Sequence, residues 1–252
     1  MSENQQPGGV QSVERALSLL ELMHANGSVI TLSELAALSS LPTATIHRLL
    51  RTLAGRGYVR QLANRRYALG PRLIGLGEAA SRQLGDIGLA ALADLVEHLG
   101  ETANMAVLDS GMVLYVAQVP SRHSMRMFTE VGRRVHAHDS GVGKAVLAQL
   151  SDDAVRQIVA RRGMPTPTPH SIATVEELLE ELARVRARGY AIDDEEQEIG
   201  VRCLSVGVPN APTPTAISVS GPAARVDEEF ERRASVALQE AARAIAASIE
   251  VG

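Results

Sequence analysis

Apolar residues near the N-terminus recur at the spacing of two short helices, with a break between them. Thr31 and Glu34 have the spacing of a capping box, which predicts that the first helix begins there. Pro42 follows the break, and its fixed φ suits the first turn of the second helix. The second helix carries one apolar stripe, formed by Ile46, Leu49, Leu50 and Leu53. The pattern predicts a helix-turn-helix.

A β-hairpin is predicted directly after the second helix. Gly55 and Gly57 end the helix, and two short strands, 58–61 and 66–69, flank a turn at residues 63–64. A basic hairpin in this place is a wing, which can lie along the DNA backbone or in the minor groove. The alternative is that two helices and a hairpin form only a small structural subdomain.

The outward face of the second predicted helix has the residue types that DNA recognition requires. Short hydroxyl side chains let the start of the helix approach base edges, and arginine can bind guanine or phosphate through two hydrogen bonds. We therefore expect base contacts from four residues, Thr43, Thr45, His47 and Arg48. We expect phosphate contacts from three arginines, Arg51 in the helix and Arg65 and Arg66 at or beside the hairpin turn. The expected partner is a double-stranded DNA operator.

Beyond the hairpin, the pattern changes to that of an α+β domain. The amphipathic stretch 71–85 is predicted to be a linker helix, although an ordinary helix of the next domain explains it equally well. Residues 86–252 alternate between amphipathic helices and short strands of period two. We expect residues 1–9 to be disordered and residues 10–70 to form a winged helix-turn-helix domain.

Composition and charge limit the class of protein further. The chain has 252 residues, of which 45% are hydrophobic, enough for two modest domains. No apolar run reaches membrane length and Cys203 is the only cysteine, so we expect a cytoplasmic protein with no membrane contact and no bound metal or other cofactor. Residues 1–70 carry seven Arg against four Glu, a balance of +3, whereas residues 71–252 carry 18 basic and 25 acidic residues, a balance of −7. This asymmetry favours duplex binding by one basic domain attached to an acidic one.

Three segments of the second half could carry chemistry. The turn 140–144 precedes a helix, so its amides could hold a carboxylate or phosphate, although a tight turn without a ligand explains it as well. The acidic run 193–198 is expected to be solvated, except for Asp193, which follows a strand. His136 and His138 lie on one side of an extended segment and could bind a metal together with the acidic cluster. The alternative function is therefore a metal-dependent hydrolase.

Several segments together resemble the IclR family of bacterial transcription regulators, from about Val10 to the C-terminus. These segments are VERALSLLELM, LPTATIHRLLRTLAGRGYV, YALGPRLIGLG, GETANMAV, SGVGKAVLA, ARGYAIDDEEQEIGVRCLSVGVP and AISVSGPAARV. The resemblance implies a winged helix-turn-helix domain, a linker helix and a GAF-like effector-binding domain, assembled as a homodimer or homotetramer. The segments MRM, RCLSV and AISVSGP are most similar to the branch that responds to glyoxylate and related products of allantoin breakdown.

The resemblance also implies an effector site. That branch binds its effector with amides of the glycine turn, a strand Asp, a Cys and two Ser, under a hydrophobic lid. The matching residues here are Gly141, Val142, Asp193, Cys203, Ser218 and Ser220, with the apolar residues Met127, Val135 and Val201. Independently of the resemblance, Ser218 and Ser220 lie two apart on a predicted strand and so share one face, where two hydroxyls suit a small carboxylic acid. The alternative is that the two serine hydroxyls only form hydrogen bonds with backbone groups of a turn or a strand edge.

Two residues depart from the pattern of that branch. Asp139 follows His138 where the branch usually has a small residue, and Ser124 replaces a bulky apolar one. Both changes make the expected pocket more polar and admit a ligand with hydroxyl, amide or ammonium groups. The function expected is that of a non-enzymatic repressor of a catabolic operon, binding a pseudo-palindromic operator and controlled by a small carboxylic acid such as glyoxylate or an allantoin-pathway intermediate.

Overall fold

The computed structural model describes residues 9–127 and 129–251 of the chain. The chain divides into two compact units, Met1–Ala80 and Ser81–Gly252. The predicted disorder of residues 1–9 concerns a segment that, except for Gly9, lies outside the described residues. Within the described ranges, no helix is long and apolar enough to cross a membrane.

Three helices of the first unit form the predicted helix-turn-helix and its support. They are α1 (Gln11–Ala25), α2 (Leu32–Ser39) and α3 (Thr43–Gly55). The predicted capping box is present, because the Thr31 hydroxyl accepts from the amide of Glu34 and the Glu34 carboxylate accepts from the amide of Thr31. The helices enclose a common core that includes Leu19, Met23, Leu35, Ile46 and Leu50.

The predicted hairpin belongs to a three-stranded sheet. Its strands are β2 (Val59–Gln61) and β3 (Tyr67–Leu69), which pair antiparallel. A further strand, β1 (Val29–Ile30), lies between α1 and α2 in the chain and pairs with the other edge of β3. Two residues are too few to show alternation, so the sequence pattern does not predict β1. Its pairing attaches the hairpin to the helices.

One long helix replaces two that the sequence predicts. The expected linker helix over 71–85 and the amphipathic helix that follows are continuous in α4 (Arg72–Leu99). Gly85 and Asp86 suggest a boundary in the sequence. A glycine inside a helix costs only about 1 kcal/mol relative to alanine, however, which a helix of 28 residues can tolerate.

The second unit is built on a six-stranded antiparallel sheet. The strands are β4 (Thr102–Asp109), β5 (Met112–Val119), β6 (Arg134–Val135), β7 (Ala191–Asp194), β8 (Val201–Val208) and β9 (Thr215–Pro222), in the order β6-β5-β4-β9-β8-β7. The helices after α4 are α5 (Gly141–Leu147), α6 (Asp152–Arg162), α7 (Val175–Arg188) and α8 (Glu228–Val251). The unit is therefore the predicted α+β domain.

The two faces of this sheet differ in polarity. One face packs on α8 and the second half of α4, through a core that includes Leu95, Met105, Ile217 and Leu238. The other face packs on α5, α6 and α7, through a core that includes Val113, Val142, Ile158 and Leu178. Because successive side chains point to opposite faces, Asn104 and Ser218, which neighbour Met105 and Ile217, lie on the second face. The second face therefore combines an apolar core with buried polar groups.

Candidate functional site

Helix α3 presents a polar and basic face to solvent. Ile46 and Leu50 are completely buried, so the helix has a single inward side. The residues predicted to contact DNA are exposed at Thr43, His47, Arg48 and Arg51 and partly buried at Thr45. All five side chains are therefore accessible to DNA if α3 enters a groove. Their assignment as DNA contacts stays a prediction.

Arg65 lies at the tip of the β2–β3 hairpin. Its amide donates to the carbonyl of Leu62 at 2.9 Å, and the Leu62 amide donates to the carbonyl of Arg66 at 2.8 Å, which closes the turn. Arg65 has a positive φ of 62°, a left-handed conformation that is uncommon for a residue with a side chain. The turn therefore holds an exposed arginine beside the tip of the wing.

Arg66 contacts the protein itself. Its Nη2 donates to the carbonyl of Val29 in β1 at 2.9 Å and lies 3.7 Å from the Glu34 carboxylate. The same Glu34 oxygen accepts from the amide of Thr31 at 2.7 Å in the capping box. The guanidinium therefore joins the residue before β3 to β1 and to the start of α2, and the expected phosphate contact of Arg66 stays a prediction.

Four strands bring the predicted polar effector residues into two adjacent rows. In the first row, Asp193 pairs with Cys203, Cys203 with Ser220, and Ser220 with Thr102. In the second row, Ser218 pairs with Ser205 on one side and with Asn104 on the other. Side chains two apart on one strand share a face, so both rows lie on the face that packs on α5. Asp193, Cys203, Ser218 and Ser220 are thus brought together as expected.

The glycine turn lies directly against these rows. Ser140 is the N-cap of α5, and its hydroxyl accepts from the amide of Gly143 at 3.2 Å. A Cβ atom placed on Gly141 would lie 2.8 Å from the Ser205 hydroxyl and 2.9 Å from the Cys203 sulfur. Only glycine permits this approach without displacement, so the first residue of α5 is fixed beside Cys203.

Two acids, at the end of β7 and in the loop after it, are buried beside a lysine of α5, and the sequence reasoning did not connect the three. The Asp193 carboxylate accepts from the amides of Glu196 at 2.8 Å and Gln197 at 3.4 Å. Glu196 forms an ion pair with Lys144 of α5, whose side chain is only 1% exposed. The acidic run is therefore not wholly solvated. The partners are 52 residues apart, and nothing local in the sequence indicates their pairing.

Burial changes the protonation of several groups in this region. It raises the pKa of Asp193 to about 7, and the Glu196 charge acts in the same direction. It raises the pKa of Asp139 to about 6, against the opposing effect of His136. Burial also raises the pKa of the Cys203 thiol, so this cysteine is a neutral, small hydrophobic group rather than a nucleophile.

Two of the three apolar residues predicted for the effector site, Val201 and Met127, lie beside the first row. Val201 is two residues before Cys203 on β8 and shares its face. The carbonyl of Met127 accepts from the Thr102 hydroxyl at 3.3 Å, at the Thr102 end of the row. Val135 is buried in the core under α5. Val135 lies on the edge strand β6, two strands away from β4, and the assignment of the three residues to the effector site stays a prediction.

The histidine pair has the geometry of packed side chains. The rings of His136 and His138 lie edge to face, 5.6 Å apart, and His138 Nε2 is 2.8 Å from the carbonyl of Pro165. Burial lowers the pKa of His138, which keeps its ring neutral. Among residues 9–127 and 129–251, no group of three or more His, Cys, Asp or Glu side chains is arranged to hold a metal.

Comparison with known families accounts for both units. The IclR helix-turn-helix domain matches residues 12–63, and the C-terminal domain of the bacterial transcriptional regulator IclR matches residues 80–247. The chain belongs to the IclR family of bacterial transcriptional regulators. Members of this family are regulators and not enzymes, so the hydrolase alternative has no support.

Individual IclR-family proteins match along most of the chain. It is 40% identical to the transcriptional repressor IclR of Escherichia coli over 230 residues, which are 88% of this chain and 84% of that protein. It is 28% identical to the transcriptional repressor AllR of the same species, again over 88% of this chain and 83% of the relative. The crystal structure of an IclR-type regulator from Silicibacter sp. TM1040 has a TM-score of 0.85 at 27% identity and covers 94% of this chain and 96% of its own.

Proposed function

We propose that this regulator is a repressor that binds a pseudo-palindromic operator and releases it when a small carboxylic acid binds the second unit. The proposal rests on the exposed, basic face of α3, in a chain that matches an IclR-family repressor over most of its length. The family membership supports DNA as a partner, and the polar rows beneath α5 support a small anionic effector.

On DNA, we assign sequence reading to α3 and backbone binding to its flank and the wing. The base readers are Thr43, Thr45, His47 and Arg48, and the phosphate contacts are Arg51 and Arg65. Arg66 orients the wing, because its guanidinium is bound to β1 and α2. Replacing Arg48 should relax specificity, since a bidentate contact to guanine contributes about 1–3 kcal/mol of discrimination.

A homodimer or a homotetramer is the assembly that a pseudo-palindrome requires. Large apolar side chains of the first unit support self-association, because they are more than half exposed. They are Val10, Val13 and Leu17 at and along α1, and Ile74 and Leu76 on α4. Val10, Val13 and Leu17 are three and four residues apart and so share one face, and an exposed apolar face is typical of protein interfaces.

In the second unit, we assign the effector carboxylate to the two polar rows. Ser218 and Ser220 can donate hydroxyl hydrogen bonds to it, and the start of α5 at Gly141 and Val142 lies beside them. Protonated Asp193 is neutral and so does not repel a nearby effector carboxylate, and its pKa of about 7 makes this protonated form available. Cys203, Met127, Val135 and Val201 supply apolar surroundings. A catabolic acid such as glyoxylate or an allantoin-pathway intermediate is the proposed effector class.

Footprinting of the intact protein on DNA from upstream of its own gene tests the proposal. We expect two protected half-sites about one helical turn apart, each facing the same side of the duplex. We also expect one acid from a panel that includes glyoxylate and allantoate to remove the protection. Failure to protect any upstream segment would contradict the operator assignment, and protection that no acid removes would contradict the effector assignment alone.

A further inference from the structure

One acid at the effector site has a buried oxygen that forms no hydrogen bond. Asp139 precedes the N-cap of α5 and is 4% exposed, and its Oδ1 has no partner among the described residues. Buried polar atoms in folded proteins are nearly always hydrogen-bonded, so such an atom calls for a specific explanation. A ligand donor is one explanation that the position of Asp139 supports.

Two observations place Asp139 on the same side of the sheet as the polar rows. Gly141, two residues after it, lies against Cys203 and Ser205. Tyr115, on the face beneath α5, has its pKa raised mainly by burial and then by nearby groups that include both Asp193 and Asp139. The Asp139 carboxylate therefore shares surroundings with the rows that we assign to the effector.

The charges around Asp139 favour a ligand that donates. Asp139, Asp193 and Glu196 are three buried acids, whereas the basic groups beside Asp139 are His136, whose Nδ1 has no partner among the described residues, and Lys144, which is paired with Glu196. Glu196 Oε2 also has no partner among the described residues. A carbonyl oxygen placed here would meet further acceptors, whereas a hydroxyl or an ammonium group would find an unused one.

We infer that the effector carries a hydroxyl or ammonium group close to its carboxylate, and that Asp139 accepts a hydrogen bond from this group. The inference rests on the carboxylate effector proposed above and narrows it, because it favours hydroxy and amino acids over glyoxylate, which has a carbonyl next to its carboxylate. An ammonium group also carries a positive charge that the surrounding acids attract, so the excess of acids favours ammonium over hydroxyl.

Matched acids that differ at one carbon test the inference. The intact protein is titrated at pH 7.5 with pyruvate, lactate and alanine, and with phenylpyruvate, phenyllactate and phenylalanine, by calorimetry and by the shift in Tm. On each skeleton that binds, we expect the hydroxy or amino acid to bind at least tenfold more tightly than the keto acid. Equal binding of the keto acid would overturn the inference.

Variants of Asp139 separate its role from a structural one. In Asp139→Ala the preference over the keto acid should fall to within about threefold, while binding of the keto acid itself is retained. Asp139→Asn keeps an acceptor oxygen but loses the charge, so it should keep the preference for the hydroxy acid and lose the preference for the amino acid. If the alanine variant does not fold, this variant tests whether Asp139 is the acceptor. Asp153→Asn, at an exposed acid of α6, is the matched control and should change nothing.

Two further results would contradict the assignment. A preference that survives in Asp139→Ala would place its origin elsewhere. If none of the six acids binds, this inference fails, while the carboxylate effector is tested separately with the panel that includes glyoxylate and allantoate, and operator binding is measured on the same sample.

Discussion

The buried acid Asp193 makes the stability of the second unit depend on pH in a predictable direction. Its folded-state pKa is about 7, whereas the ordinary value is 3.8. Between these values the folded state keeps a proton that the unfolded state has lost. The free energy of unfolding therefore falls as pH rises from about 4 to about 7, which is the direction for a raised pKa.

The size of the effect follows from the same two values. Each pKa unit corresponds to 1.36 kcal/mol, so the full difference is about 4 kcal/mol above pH 7. Relaxation around the buried charge lowers the value that is measured, and we expect at least about 1 kcal/mol. Asp193→Asn removes the titrating group and keeps the oxygen that accepts from the amides of Glu196 and Gln197. The variant should therefore be more stable than the wild type at pH 8 and equal to it near pH 4.

Urea unfolding followed by circular dichroism at pH 5, 6, 7 and 8 measures this difference. The second unit is the relevant transition if the two units unfold separately. Asp194→Asn is the matched control, because Asp194 is the exposed neighbour on β7 and its ion pair with Arg202 is worth at most about 1 kcal/mol. Parallel curves for wild type and Asp193→Asn from pH 5 to 8 would refute the reasoning.

Three further predictions concern the wing, the glycine turn and the buried ion pair. Arg65→Ala should reduce the slope of log operator affinity against log salt concentration by about 0.9. Arg66→Ala should weaken operator binding and leave this slope unchanged. Equal slopes for the two variants would contradict their different roles. Gly141→Ala should lower the free energy of unfolding by about 1–3 kcal/mol, because the added Cβ would overlap neighbouring side chains. Effector affinity measured by calorimetry should fall more than tenfold, while operator affinity is kept. Unaltered effector affinity would count against the site. Lys144→Met should lower the free energy of unfolding by about 3–5 kcal/mol, because it leaves Glu196 buried without its partner. Adding Glu196→Gln to this variant should recover part of the loss. A Lys144→Met variant as stable as the wild type would show that stability does not depend on the ion pair.

Features of the first unit that depend on neighbouring residues were predictable from the sequence. The capping box at Thr31, the buried stripe of α3 and the hairpin around residues 63–64 are all set by contacts a few residues apart. The role of Arg66 was not, because its carbonyl partner Val29 is 37 residues away and belongs to a strand of only two residues.

The same division holds in the second unit. Alternation along β9 placed Ser218 and Ser220 on one face before any strand pairing was known, and the resemblance supplied Asp193 and Cys203. Sequence spacing could not show that Lys144 meets Glu196 or that Ser205 lies against Gly141, since both contacts depend on how α5 packs on the sheet. The continuity of α4 was also missed, because a glycine at position 85 costs only about 1 kcal/mol and does not by itself end a helix.

The central claim is that effector and operator binding are coupled, and one measurement tests it most directly. Operator affinity is determined by fluorescence anisotropy without effector and at saturating effector, and effector affinity is determined by calorimetry with and without operator. Because coupling is reciprocal, both affinities must fall by the same factor, which we expect to be tenfold or more. An acid that binds the protein and leaves operator affinity unchanged would contradict the account.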